Sequence, residues 1–295
     1  MLGQVDLDTF VDRDEEQKDF MSLLEFRSDL RVLAIKDKAN SGKSHLLEKL
    51  MQRCQSEFQV RVSLAALDQL ESHTPVDFLT RLVSNFGPGP TFRRFDEWFG
   101  HYWRGRAPAP AIRVDVGGAN FSEANNFRIT GVDDLRIGTY NEAAPPTQLT
   151  PNERQWFTNK VVEAFVADLS ELGADAAVVI LVDAFEKCQP DLRRWFSTSF
   201  LASLCFDSTL RPKRLVVAIA GQNLPRFDAH FPANRIQAVV KIRDRMSPWT
   251  EEIALQYWRL RRGGTNPSPE ILEALRAMAQ AEMPPGVFRF AIDSL

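Results

Sequence analysis

The chain has 295 residues, 44% of them hydrophobic and 25% charged, and carries a formal net charge of −3. This composition and length suit one large α/β domain, alone or with a small helical appendage, and exclude a disordered or fibrous protein. The slight negative charge offers no clustered basic face for a phosphate backbone, so direct nucleic-acid binding is not expected.

Cys54, Cys188 and Cys205 show no CxxC spacing and, being odd in number, cannot all pair. Neither a disulfide framework nor a zinc site is indicated. The first residues, Met1 to Phe10, are mixed and acidic with no apolar signal region, and no window reaches the roughly 18 apolar residues of a membrane span. The expectation is a cytoplasmic protein without a membrane segment.

Five short apolar runs have the pattern of strands buried on both faces, as in a parallel sheet covered by helices. They are Arg31 to Ile35, Gln59 to Leu64, Ala177 to Asp183, Leu215 to Ala220 and Ile236 to Ile242. The first run leads into Asp37-Lys38-Ala39-Asn40-Ser41-Gly42-Lys43-Ser44 and then a helix over His45 to Cys54. A triphosphate needs free backbone N–H groups, a helix N-terminus, a lysine for the outer phosphates and a hydroxyl for magnesium. Asn40, Ser41 and His45 belong to this turn, Gly42 lets the backbone approach, Lys43 is the cation and Ser44 the metal ligand. The glycine usual five residues before Gly42 is Asp37 here, a carboxylate compatible with phosphates only if it points away.

A second predicted helix spans Asp77 to Asn85. Proline-rich breaks at Gly87 to Pro90 and Ala107 to Pro110 flank the aromatic stretch Phe92 to Trp103, which reads as core or cap rather than a ligand box. Ile112 to Tyr140 holds short alternating runs separated by Gly and Asn, the pattern of a small β insertion and a candidate contact surface, or of a hairpin folded onto its own domain. A longer helix opens at Thr150-Pro-Asn-Glu and carries Trp156, Val161, Phe165 and Leu169 on one side.

The third run ends in Asp183, with Glu186 three residues on. An acid at the carboxyl edge of a buried strand beside such a loop holds magnesium, and a second acid orients an attacking water. The fourth run ends at Gly221-Gln222-Asn223, where Gln222 either senses a terminal phosphate or belongs to no more than a strand-ending turn. After the fifth run the chain turns helical, with caps expected at Ser247-Pro248 and Ser268-Pro269 and a last helix after Pro284-Pro285-Gly286. The expected organisation is a nucleotide-binding domain over residues 1–245, with an insertion near 87–145, and a helical lid over 246–295.

In this order the motifs resemble STAND NTPases, the signal-transduction branch of AAA-related ATPases that includes NACHT and NB-ARC proteins. The carriers are Phe10-Val11-Asp12-Arg13-Asp14-Glu15-Glu16, the loop, the Asp183/Glu186 pair and the C-terminal helices. The resemblance implies a five-stranded P-loop core, ATP/ADP with Mg2+, Val11 and Arg13 close to adenine, and Pro284 as an adenine-contacting proline. It further implies a switch with slow ATPase activity at most, in a bacterial signalling or defence assembly, with protein partners or self-association. The family's glycine between Val11 and Arg13 is Asp12 here, and its arginine after the fourth strand is Gln222. Those departures, with Asp37, support the alternative of an inactive P-loop scaffold. The family's winged helix and effector domain have no counterpart in these 295 residues, which points to one part of a larger assembly. A ring-forming ATPase would instead need Arg235, Arg243 or Arg245 offered to a neighbour.

Overall fold

The computed structural model describes residues 13–58, 60–87, 89–104, 151–207 and 212–294. Val11, the start of the long helix at Thr150 and the expected β insertion at 112–140 lie outside these residues.

Helix α1 (Asp14–Leu24) precedes β1 (Val32–Lys36), and the phosphate-loop sequence then enters α2 (Lys43–Ser56). Next come β2 (Arg61–Ala66), α3 (Pro75–Asn85), α4 (Arg93–Arg104), α5 (Pro151–Asp175) and β3 (Val178–Asp183). Helix α6 (Pro190–Trp195) continues as two π-helical turns before β4 (Leu215–Gly221), α7 (Ala233–Val239) and β5 (Val240–Arg243). Three helices close the chain, α8 (Glu251–Arg261), α9 (Pro269–Gln280) and α10 (Pro285–Ser294). The five strands are all parallel, in the order β2-β3-β4-β1-β5.

The apolar runs are continuous because both sheet faces are covered. On β1, Val32 and Ala34 join the core under α3 and α5, whereas Leu33 and Ile35 join the one under α1 and α2. Within the aromatic stretch, Phe92, Phe95 and Phe99 are core, as expected. Phe92 stacks on Phe165 at 5.6 Å, and Phe95 stacks on Phe99 at 5.6 Å. Of the long-helix residues expected on one side, Val161, Phe165 and Leu169 are buried, but Trp156 is half exposed and meets Trp98 edge-on.

Two boundaries differ from the sequence reading by about three residues or more. The strand expected from Ile236 starts only at Val240, because Pro232 opens a helical turn and Ile236 packs as a helical side chain. A short apolar run does not by itself distinguish the two conformations. Helix α8 is capped by Thr250, whose hydroxyl accepts from the Ile253 amide, rather than by Ser247. Ser268 caps α9 as expected, accepting from the Ile271 amide.

The last three helices enclose their own small core of Trp249, Tyr257, Trp258, Leu275, Phe288 and Ile292. Among the described residues no helix is long and apolar enough to cross a membrane.

Candidate functional site

The carboxyl ends of β1, β4 and β3 lie side by side, because β4 sits between the other two. This brings Asp37, Gly221 and Asp183 to one edge of the sheet, where open α/β sheets take their ligands.

Gly42 stands at the N-terminus of α2 with φ 92°, and Asn40 is also left-handed at φ 63°. These two reversals turn the chain so that the α2 axis points back at the loop. Among the described residues, none of the amides of Ala39 to Gly42 donates to an acceptor, and the first-turn amides of α2 have no intrahelical partner. A run of free amides at a helix N-terminus is an anion cradle.

Lys43 is buried, and its ammonium closes the loop from within. It donates to the carbonyls of Asp37 at 2.9 Å and Lys38 at 2.6 Å, and to the Ser41 hydroxyl at 3.1 Å. Burial pulls its pKa down, opposed by the charges of Asp37, Glu186 and Asp183. Asp37 itself does not face the anion cradle. One carboxylate oxygen accepts from the Lys38 amide at 2.7 Å and the other from the Met246 amide at 3.1 Å.

Across the loop, burial holds Asp183 above the usual carboxylate range, against the opposing pull of the Ser44 hydroxyl and the Ala184 amide. A hydroxyl and a carboxylate lining one cavity at this edge are hard oxygen donors of the kind magnesium takes. Glu186 is fixed by Gln222, whose amide donates at 2.9 Å and whose side chain donates at 3.3 Å. Burial pushes Glu186 up, but these bonds and the charge of Lys43 leave it below the ordinary glutamate value. Gly221 makes this contact possible, since a Cβ there would lie 2.9 Å from the Glu186 carboxylate.

A cavity of about 390 Å3 opens between this edge and the terminal helices. Among the candidates from the sequence, Asn40, Ser41, Gly42, Lys43, Ser44 and His45 form its floor. Asp183, Glu186, Gln222 and Arg13 also line it. Arg13 is buried and donates to the carbonyls of Ser41, at 2.9 Å, and Ser247, so it ties the loop to the connector before α8. Pro284 is not in the wall; the next two residues, Pro285 and Gly286, are. The register is displaced because α10 begins at Pro285 and presents its first turn to the loop.

The sequence reading missed the far wall, made by Trp249, Tyr257 and Arg289. The Arg289 guanidinium is bonded to Nε2 of His45, and burial together with that cation lowers the His45 pKa. Glu48 and Asp68 were missed as well. Burial and Asp183 raise the Glu48 pKa, against the pull of Arg289. Glu48 had a sequence signal, its position one helical turn after Ser44, whereas Arg289 lies 244 residues from His45 and had none. The three candidate inter-subunit arginines are engaged within the chain: Arg235 to the Phe206 carbonyl, Arg243 to Asp19 and Glu15, and Arg245 to Glu282.

The strand order, the loop at the end of β1 and the acid at the end of β3 are those of a P-loop α/β fold. Among solved structures, the chain is similar to Cdc6p from Pyrobaculum aerophilum, with a TM-score of 0.53 and 14% identity over 98% of this chain and 64% of that one. It is also similar to the Aeropyrum pernix ORC2 protein in its ADP form, with a TM-score of 0.50 and 10% identity over 96% of this chain and 61% of that one. The chain thus spans under two thirds of either neighbour. No family model matches it, and no curated protein matches it.

Proposed function

We propose that this chain is an ATP/ADP-binding module in which residues 13–245 hold the nucleotide and the helices of 246–294 form a lid over it. The observation that carries the reading is the loop geometry: unpaired amides at the start of α2, with Lys43 beneath them and Ser44 and Asp183 lining the same cavity. The ADP form of the neighbouring ORC2 structure supports the same ligand class.

Magnesium would be held by Ser44 and Asp183 and would neutralise charge on the phosphate oxygens. Lys43 exchanges loop carbonyls for phosphate oxygens, a charge-assisted replacement for neutral acceptors. Arg289 approaches the same space from the lid and supplies a second cation. Arg13 and the first turn of α10 flank the loop on the side where the family resemblance puts the base. Glu186, each oxygen of which accepts one bond from Gln222 and keeps a lone pair free, is placed to orient an attacking water, and the activity expected is a slow ATPase at most. A lid that contacts both the loop and its ligand gives a nucleotide the differential affinity that a switch requires. This favours a STAND-like signalling or defence switch with protein partners.

The second reading, a scaffold without nucleotide, is favoured by one observation: Lys43 is already satisfied by three acceptors of the loop. Calorimetry with MgADP on the native chain and on Lys43→Ala decides between them. Tight binding that is lost in a folded Lys43→Ala protein supports the module. No MgADP binding by the native chain supports the scaffold, and equal affinity in the variant overturns the assignment of Lys43 to the site.

A further inference from the structure

We propose that Asp37 is a positioning residue that fastens the lid connector to the phosphate loop, so that the state of the loop is transmitted to the lid. The coupling rests on the nucleotide reading above; the fastening does not.

Asp37 is bonded in four directions. Its amide donates to the Gly221 carbonyl at 3.1 Å, anchoring it to β4, and its carbonyl accepts from Lys43 at 2.9 Å. Its carboxylate spans the Lys38 amide, at 2.7 Å, and the Met246 amide, at 3.1 Å, 209 residues away. The connector at 246–247 belongs to no helix or strand, so its backbone groups need partners from elsewhere. They come from the loop side of the molecule: Asp37 takes the Met246 amide, Glu16 takes the Ser247 amide at 3.0 Å, and Arg13 gives to the Ser247 carbonyl. Ser41 adds a hydroxyl contact to the Met246 sulfur at 3.8 Å.

The backbone explains why a carboxylate can stand where such loops have glycine. Left-handed residues of the loop are Asn40 and Gly42, not Asp37. Position 37 therefore makes no demand for glycine, and its side chain is free to serve the connector. Any shift of the Asp37–Lys43 segment on ligand exchange moves the Met246 amide with it, and α8 starts only five residues later, at Glu251.

Hydrogen exchange on the intact chain, with and without MgADP, tests this in Asp37→Ala and Asp37→Asn. A charge-assisted hydrogen bond removed by Ala predicts about tenfold faster exchange in the peptide containing Met246 and Ser247, with sheet peptides unchanged. The protection that MgADP confers on α8 to α10 shrinks in the same variant. Asn keeps one acceptor and returns most of both effects. If Asp37→Ala loses its cooperative melt, Asp37→Gly carries the same comparison. Connector exchange equal to that of the native chain, or Ala and Asn variants alike, overturns the fastening. Native MgADP protection that survives Asp37→Ala overturns the coupling. Absence of any MgADP binding by the native chain removes the nucleotide reading and the coupling, while connector exchange still reports the fastening.

Discussion

The Gly286 amide donates to the Asn40 carbonyl at 2.9 Å, so the last helix of the chain starts on the tip of the phosphate loop. The approach is so close that a Cβ at Gly286 would lie 2.9 Å from the Asn40 Cβ and 3.1 Å from its carbonyl oxygen. Here the backbone conformation is ordinary, and the lack of a side chain is what matters. Gly286→Ala is expected to push α10 off the loop, at a cost of about 1–3 kcal/mol typical of overpacking. Thermal melting should show the loss, and MgADP affinity should fall with it; a variant with native melting and affinity would mean that the contact is slack.

Arg289, on α10, is bonded to His45 beside Ser44. Arg289→Ala is expected to weaken MgATP binding by about tenfold or more, the value of a charge-assisted bond. The effect on MgADP should be smaller, because the extra phosphate of ATP adds negative charge within reach of the lid. Titration of both nucleotides by calorimetry checks the ratio, and equal losses for the two would place Arg289 away from the terminal phosphate.

Glu186 and Gln222 are held together by two hydrogen bonds, at 2.9 and 3.3 Å. Glu186→Gln keeps the shape but removes the base, so any MgATP turnover should drop by about 10²-fold or more. Nucleotide affinity should stay near native. Single-turnover hydrolysis, read alongside binding, separates the two; unchanged turnover would remove Glu186 from the chemistry.

Asp19 fastens α1 to the edge strand β5, accepting from Lys241 and Arg243 at 2.5 Å each. Burial pushes its pKa up, but the two cations outweigh burial and leave it below the ordinary value of 3.8. A lowered carboxylate pKa means that the folded state binds its proton less tightly than the unfolded chain. The stabilisation is therefore fully present above pH 3.8 and is lost as pH falls through the lower folded value. Asp19→Asn is expected to cost about 2 kcal/mol at neutral pH. Urea melts over a pH series should show the gap closing below about pH 4; a gap constant with pH would mean that packing, not charge, is what the substitution removes.

Much of the fold was legible from local pattern. Continuous apolar runs such as Val178–Asp183 report a strand covered on both sides wherever the chain places it, and alternation with helices implies a parallel sheet. The loop from Asp37 to Ser44 was equally visible, since its reversals, its helix start and its lysine lie within eight residues. Ile236 misled because Pro232 and a short helix use the same apolar residues that a strand would. Pro284 lies just before α10, and the next residue, Pro285, is the one that lines the cavity.

By itself, then, the sequence determined what short-range physics controls: the five buried strands, the amide-lined turn and the acids that end β3. Only the tertiary structure decided which way Asp37 points, that Arg289 meets His45, and that Gln222 holds Glu186. Those relations join residues between 36 and 244 positions apart. Their geometry depends on how helices and strand ends pack, and no local propensity encodes that.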